Sequence, residues 1–251
     1  HALYSERVTY RNLGLVVVDE QHRFGVRQRS ALLDKGENPD MLLMTATPIP
    51  RTLAMTAFGD MEVSTIREMP PGRKPVRTHL ARLGNEAKVY RFVEKEFSKG
   101  NRAYFVYPRI EGDRESESEG EGYSDLKDVT TMLETLKRRF PTVKAEMIHS
   151  RLPEEEKAAI MDSFLQGSTQ LLVATSVVEV GVDVAEATVV VIEHAERFGL
   201  AALHQLRGRV GRSERQSYCF LVYSEPLSEI GKERLRIMHG SNDGFHIAEE
   251  D

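Results

Sequence analysis

The chain has 251 residues, 40% of them apolar and 29% charged, with a formal net charge of -5. Those proportions are ordinary for a soluble globular protein and exclude a wholesale coat for nucleic acid, although a local basic groove stays compatible because footprints depend on where charges cluster. No apolar run approaches the roughly 20 residues of a membrane-spanning helix, and Cys219 as the only cysteine excludes an intramolecular disulfide and a Cys₂His₂ zinc site.

The start "HALYSERVTY" lacks the basic and apolar regions of a signal peptide, so a reducing cytoplasm is the expected location. Short apolar runs then recur along the chain. "LGLVVV" and "DMLLMT" come first, with the helical pattern "RQRSALLDKG" between them. "VRTHLARL", "RAYFVYP", "VKAEMIH", "QLLVAT", "ATVVVIE" and "SYCFLVY" follow, separated by "EAKVYRFVEKEFSKG", "LKDVTTMLETLKRRF" and "PEEEKAAIMDSFLQG", whose apolar residues fall at three- and four-residue spacing. Strands alternating with helices predict βαβ units and an α/β fold with parallel sheets. Leu126, Val129, Leu133, Leu136 and Phe140 line one predicted helical face, read as a core stripe.

Two stretches break the pattern. "REMPPGRKPVR" at 67 to 77 concentrates proline, glycine and basic residues and reads as an interdomain linker. "EGDRESESEGEG" at 111 to 122 is acidic and almost free of apolar side chains, so it reads as a loop that cannot offset its ordering entropy by burial. The residues before the linker hold too few strands for a self-sufficient doubly wound sheet, and the first domain reads as partial.

In open parallel sheets, ligands gather outside the carboxyl ends of the strands. "LVVV" ends there in Asp19 and Glu20, "MLLM" in Thr45, Ala46 and Thr47, and "QLLVA" in Thr175, followed by "EVGVDV". Each alone is compatible with simple capping of the next helix. "HQLRGRVGR" at 204 to 212 is more distinctive, with Arg209 and Arg212 three apart and Gly208 and Gly211 each preceding an arginine. On a helix the two guanidiniums would share a face, and the glycines would let another surface approach closely. An Asp for magnesium, a carboxylate to orient water and arginines to neutralise a developing γ-phosphate charge together describe phosphoryl transfer.

These residues carry a resemblance. "DEQH" at 19 to 22, "TAT" at 45 to 47, "RAYFVYP", "ATSVVEVGVDV" and "QLRGRVGR" resemble motifs II to VI of superfamily 2 helicases, in order. "VVVDEQHRFGVRQR", "MTATPIPRTLAMTAFGD" and "MPPGRKPV" are similar to the RecG family of branched-DNA helicases. The resemblance implies RecA-like motor domains, one partial over residues 1–72 and one complete over 73–226, with the start of a helical hairpin at 227–251. It implies ATP and Mg²⁺ as cofactors, with Asp19 helping to hold the metal, Glu20 beside it polarising the attacking water, and Gln205, Arg209 and Arg212 facing the γ-phosphate. His22, Thr45 and Thr47 would couple the nucleotide site to the DNA site, Gly181 and Asp183 would lie beside the nucleotide, and Arg151 and Thr175 would touch the DNA backbone. The implied partner is branched DNA, forks and Holliday junctions, in recombination and repair, handled by a cytoplasmic monomer with no membrane attachment.

No G-x-x-x-x-G-K-S/T occurs in the 251 residues. Against the family pattern, that leads to the expectation of a fragment without the phosphate-binding loop and the N-terminal wedge, catalytically incompetent alone. Two alternatives stay open: the motor of a transcription-repair coupling translocase, against which Gln21 weighs because that family usually reads "DEEHRFG", and a non-catalytic DNA- or protein-binding module.

Overall fold

In the computed structural model, residues 3, 5, 7–20, 24–45, 62–66, 68, 70–108, 121–175 and 184–250 are described, with backbone alone at 26 and 121–128. The chain divides into two compact units, His1–Ile49 and Pro50–Asp251.

In the first unit, β1 (Leu15–Val18) pairs in parallel with β2 (Asp40–Leu43), Val17 opposite Leu42, through helix α1 (Val26–Leu33). The Gly25 N–H at the head of α1 donates to the Gln28 side-chain oxygen at 3.0 Å, which satisfies one of the orphan donors of a helix start. The all-apolar run "LVVV" reads as a buried strand. Val16 and Val18 are buried, whereas Leu15 and Val17 are 57% and 51% exposed, so this strand alternates.

The second unit holds six parallel strands in the spatial order β3-β8-β7-β4-β6-β5: β3 (Arg77–Arg82), β4 (Arg102–Tyr107), β5 (Ala145–Ile148), β6 (Leu171–Thr175), β7 (Ala187–Ile192) and β8 (Tyr218–Tyr223). Each of the apolar runs read from the sequence supplies one of the strands. The crossovers β3 to β4 and β4 to β5 advance toward the β5 edge, while β5 to β6 and β7 to β8 return toward β3. Right-handed crossover therefore puts the outgoing helices on one face and the returning helices on the other. Packing follows suit. Helices α2 (Glu86–Ser98) and α3 (Glu121–Arg139) bury Val89, Val93, Phe97, Val129, Leu133 and Leu136 against Phe105, Val173 and Val191, with Phe140 just beyond α3. Helices α4 (Glu154–Gln166) and α5 (Leu200–Arg207) bury Met161, Phe164, Leu200, Leu203 and Leu206 against Tyr104, Leu172 and Val190.

The predicted stripe on α3 is core at all its described side chains; Leu126 lies outside them. The acidic loop at 111–120 also lies outside the described residues, and the chain is already helical at Glu121. Beyond β8, α6 (Glu229–Gly240) and α7 (Gly244–Glu249) add Leu235, Met238 and Ile247 to the core of α4 and α5. No described helix is long and apolar enough to cross a membrane.

Candidate nucleotide and DNA sites

At the carboxyl end of β1, Asp19 is exposed and Glu20 half-buried. The Glu20 N–H donates to Asp19 Oδ1 at 2.8 Å, and Glu20 takes a left-handed φ of 49°. A non-glycine residue there costs on the order of 1–3 kcal/mol, and such outliers concentrate at functional sites. The Met44 N–H closes the strand end onto the Val18 carbonyl at 2.8 Å, which brings the half-buried Thr45 to the same sheet edge. The first unit thus gathers Asp19, Glu20 and Thr45; His22 and Thr47 lie outside the described residues.

The arginine segment differs from its expected helical form. Helix α5 ends at Arg207, and the Arg209 and Val210 N–H groups turn back onto the Leu206 and Arg207 carbonyls. Val210 plugs the core, Gly211 takes φ 77°, and Arg212 Nε donates to the Gly208 carbonyl at 3.0 Å. Arg209 and Arg212 therefore stand on a tight loop instead of one helical face, with Gln205 half-buried on the last turn before it. The glycine cost that a helix would impose does not arise, because neither glycine is inside one. Gly211 is required twice, by its positive φ and because a Cβ there would meet Val76 at 2.6 Å. Gly211→Ala is expected to destabilise the protein by about 2–4 kcal/mol, read as a lowered urea midpoint with an unchanged slope.

The loop is anchored at the amino edge of the sheet, not the carboxyl edge. Ser213 Oγ donates to the Ala185 carbonyl at 2.9 Å, just ahead of β7, and Arg215 donates to Asn101 Oδ1 at 2.8 Å, just ahead of β4. Asn101 in turn donates to the buried Glu96 carboxylate at 2.6 Å, which also accepts from Lys99 and Thr188. Arg209 and Arg212 both act on the Tyr104 hydroxyl, which burial nonetheless pushes up to about 12. Arg207, first of the three arginines of the run, is buried and donates to the Met238 and Ser241 carbonyls at 3.1 and 2.7 Å, tying α5 to α6. Sequence alone does not separate this structural arginine from its neighbours.

At the opposite edge, Thr175 closes β6, and Arg151 is exposed beyond β5. Burial first, and then Arg151 and Lys157, hold His149 below the usual imidazole range, with Glu156 acting the other way. Gly181 and Asp183 lie outside the described residues.

Glu193, at the end of β7, is a residue the sequence does not single out. It is 3% exposed and pushed up to about 7, first by burial and then by Glu86 and Glu196. A folded-state value above the unfolded one means stability present below about pH 4.5 and lost as pH rises through about 7. Glu193→Gln removes that dependence: moving from pH 5 to pH 8, the variant should gain about 2 kcal/mol relative to the parent, measured by denaturant midpoints at both values.

Among the described residues no cluster of three or more His, Cys, Asp or Glu could hold a metal ion by itself. A single exposed strand-end carboxylate fits Mg²⁺, which keeps most of its water and substrate-oxygen ligands.

Residues 90–214 match the helicase conserved C-terminal domain. Across the whole chain, identity is 54% to the ATP-dependent DNA helicase RecG of Treponema pallidum and 50% to that of Thermotoga maritima, of which the chain covers 36% and 31%. A solved structure of RecG bound to a three-way DNA junction matches all of this chain and 31% of its own at 46% identity, with a TM-score of 0.79. Over its whole length the chain is similar to these RecG helicases. It spans about a third of the length of these RecG relatives. S. cerevisiae Dbp5 bound to RNA and ADP BeF3, at 14% identity and a TM-score of 0.56 over 90% of this chain and 57% of its own, shares the fold alone with this chain.

Proposed function

We propose that the protein containing these residues is an ATP-dependent DNA helicase or translocase that remodels branched DNA, such as stalled forks and Holliday junctions, in recombination and repair. The observation that carries this reading is the whole-chain likeness, at 46% identity, to RecG bound to a three-way DNA junction. In this reading residues 1–72 contribute to a first RecA-like motor domain, 73–226 form a second, and 227–251 begin a helical hairpin. The protein acts as a cytoplasmic monomer.

Asp19 would hold Mg²⁺, which when bound neutralises phosphate charge. Glu20 accepts a proton from the attacking water and orients it, its backbone fixed by the N–H bond to Asp19. Arg209 and Arg212 place planar, permanently charged donors at the transferred phosphoryl group, and Gln205 faces the same γ-phosphate. Gly181 and Asp183 contact the nucleotide. Thr45, with His22 and Thr47, relays nucleotide state to DNA contacts. Arg151 and Thr175 bind phosphates of the DNA backbone, which fixes position without reading sequence, as a motor on any DNA requires. Hydrolysis by these 251 residues alone is not expected, since they contain no phosphate-binding loop.

The test is ATP turnover by the intact protein with a three-way junction and with linear duplex of equal length. Stronger stimulation by the junction supports the reading; turnover unmoved by either DNA contradicts it.

A further inference from the structure

The linker-like stretch "PPGRKPV" is packed onto the arginine loop. Pro70 to Arg73 form a turn closed by the Arg73 N–H on the Pro70 carbonyl at 3.3 Å, with proline second and glycine third at φ 81°, the type II pattern. That turn aims the half-buried Arg73 side chain at the loop, where its Nε donates to the Gly211 carbonyl at 2.6 Å across 138 positions of sequence. The next residues continue the contact. Val76 fills the space beside Gly211, Gln216 donates to the Pro75 carbonyl at 2.9 Å, and the Arg77 N–H reaches Ser217 at 2.9 Å.

The Gly211 carbonyl belongs to the peptide plane leading into Arg212. Gly211 has no side chain and a left-handed φ, so that plane is the least constrained joint between the two arginines. A charge-assisted bond at 2.6 Å is a strong way to hold it. We infer that Arg73 is a positioning residue for the arginine loop: it sets the pose of Arg209 and Arg212 for phosphoryl transfer without touching the nucleotide itself. This rests on the nucleotide role proposed for those two arginines.

The experiment uses the intact protein and compares Arg73→Ala, Arg73→Lys, Arg209→Ala, Arg212→Ala and the Arg73→Ala/Arg212→Ala double variant. Junction-stimulated kcat, KM for ATP and junction Kd are measured for each. Misplacing a transition-state group by about 1 Å costs up to ~10²-fold, so Arg73→Ala should lower kcat by about tenfold or more while KM and Kd stay within about twofold. Arg73→Lys, which keeps a charged donor on a long side chain, should recover most of the rate and carries the test if the alanine variant does not fold. In the Arg212→Ala background Arg73→Ala should cost less than it does in the parent, because only Arg209 is left to be posed.

Full kcat in Arg73→Ala beside a large loss in Arg209→Ala overturns the positioning role and leaves the nucleotide reading standing. Full kcat in Arg209→Ala overturns both. Parallel losses in kcat, KM and Kd, or an undiminished loss in the Arg212→Ala background, mean that Arg73 serves folding alone and overturn the inference.

Discussion

Replacing Arg209 or Arg212 by alanine in the intact protein is expected to lower kcat for DNA-stimulated ATP hydrolysis by about 10³-fold or more, the range in which an arginine acting on a transferred phosphoryl group is felt. The loop bearing them is built for fixed geometry. Val210 between them is fully buried, Arg212 Nε is bonded to Gly208, and bonds from Ser213, Arg215 and Gln216 brace the segment beyond. Preorganised charge that needs no reorganisation during reaction is where catalytic stabilisation is largest. Lysine should rescue poorly, because it lacks the planar fork of donors. DNA affinity should change little, since Arg151 and Thr175, the residues proposed to touch DNA, lie at the other edge of the sheet. A loss below tenfold in both alanine variants would remove these arginines from the reaction.

Glu20→Gln should lower kcat by about 10²–10⁴-fold, the usual worth of a positioned general base. The amide is nearly isosteric, so ATP and DNA binding and the melting temperature should hold close to the parent's. The motivating feature is local: Glu20 takes a left-handed φ of 49° at the end of β1, and its N–H is tied to Asp19 at 2.8 Å. That tie restrains the backbone from which the Glu20 side chain projects. Turnover near the parent level would show that another group takes the proton.

The strands were legible because each is a local apolar run, and the four helical patterns because their spacing is local as well. The polar strand ends at Asp19, Thr45 and Thr175 followed from parallel topology in the same way. What escaped depends on contacts remote in sequence. The end of α5 at Arg207 is set by Val210 entering the core and by Gly211 lying against Val76, neither of which local spacing encodes. Arg73 reads as linker until its bond to Gly211, 138 positions away, is seen. Glu193 is one more carboxylate after an apolar run until burial raises its affinity for a proton. Leu15 and Val17 belong to a run that reads as buried, and composition does not reveal which face of a strand is covered.

The central claim is that these residues belong to a motor that spends ATP to rearrange branched DNA. Its most direct measurement follows strand separation of a labelled three-way junction by the intact protein, with ATP, with a non-hydrolysable analogue, and with the Glu20→Gln variant. The account predicts separation with ATP alone and none in the other two arms. Separation that proceeds equally with the analogue or in the variant would contradict it.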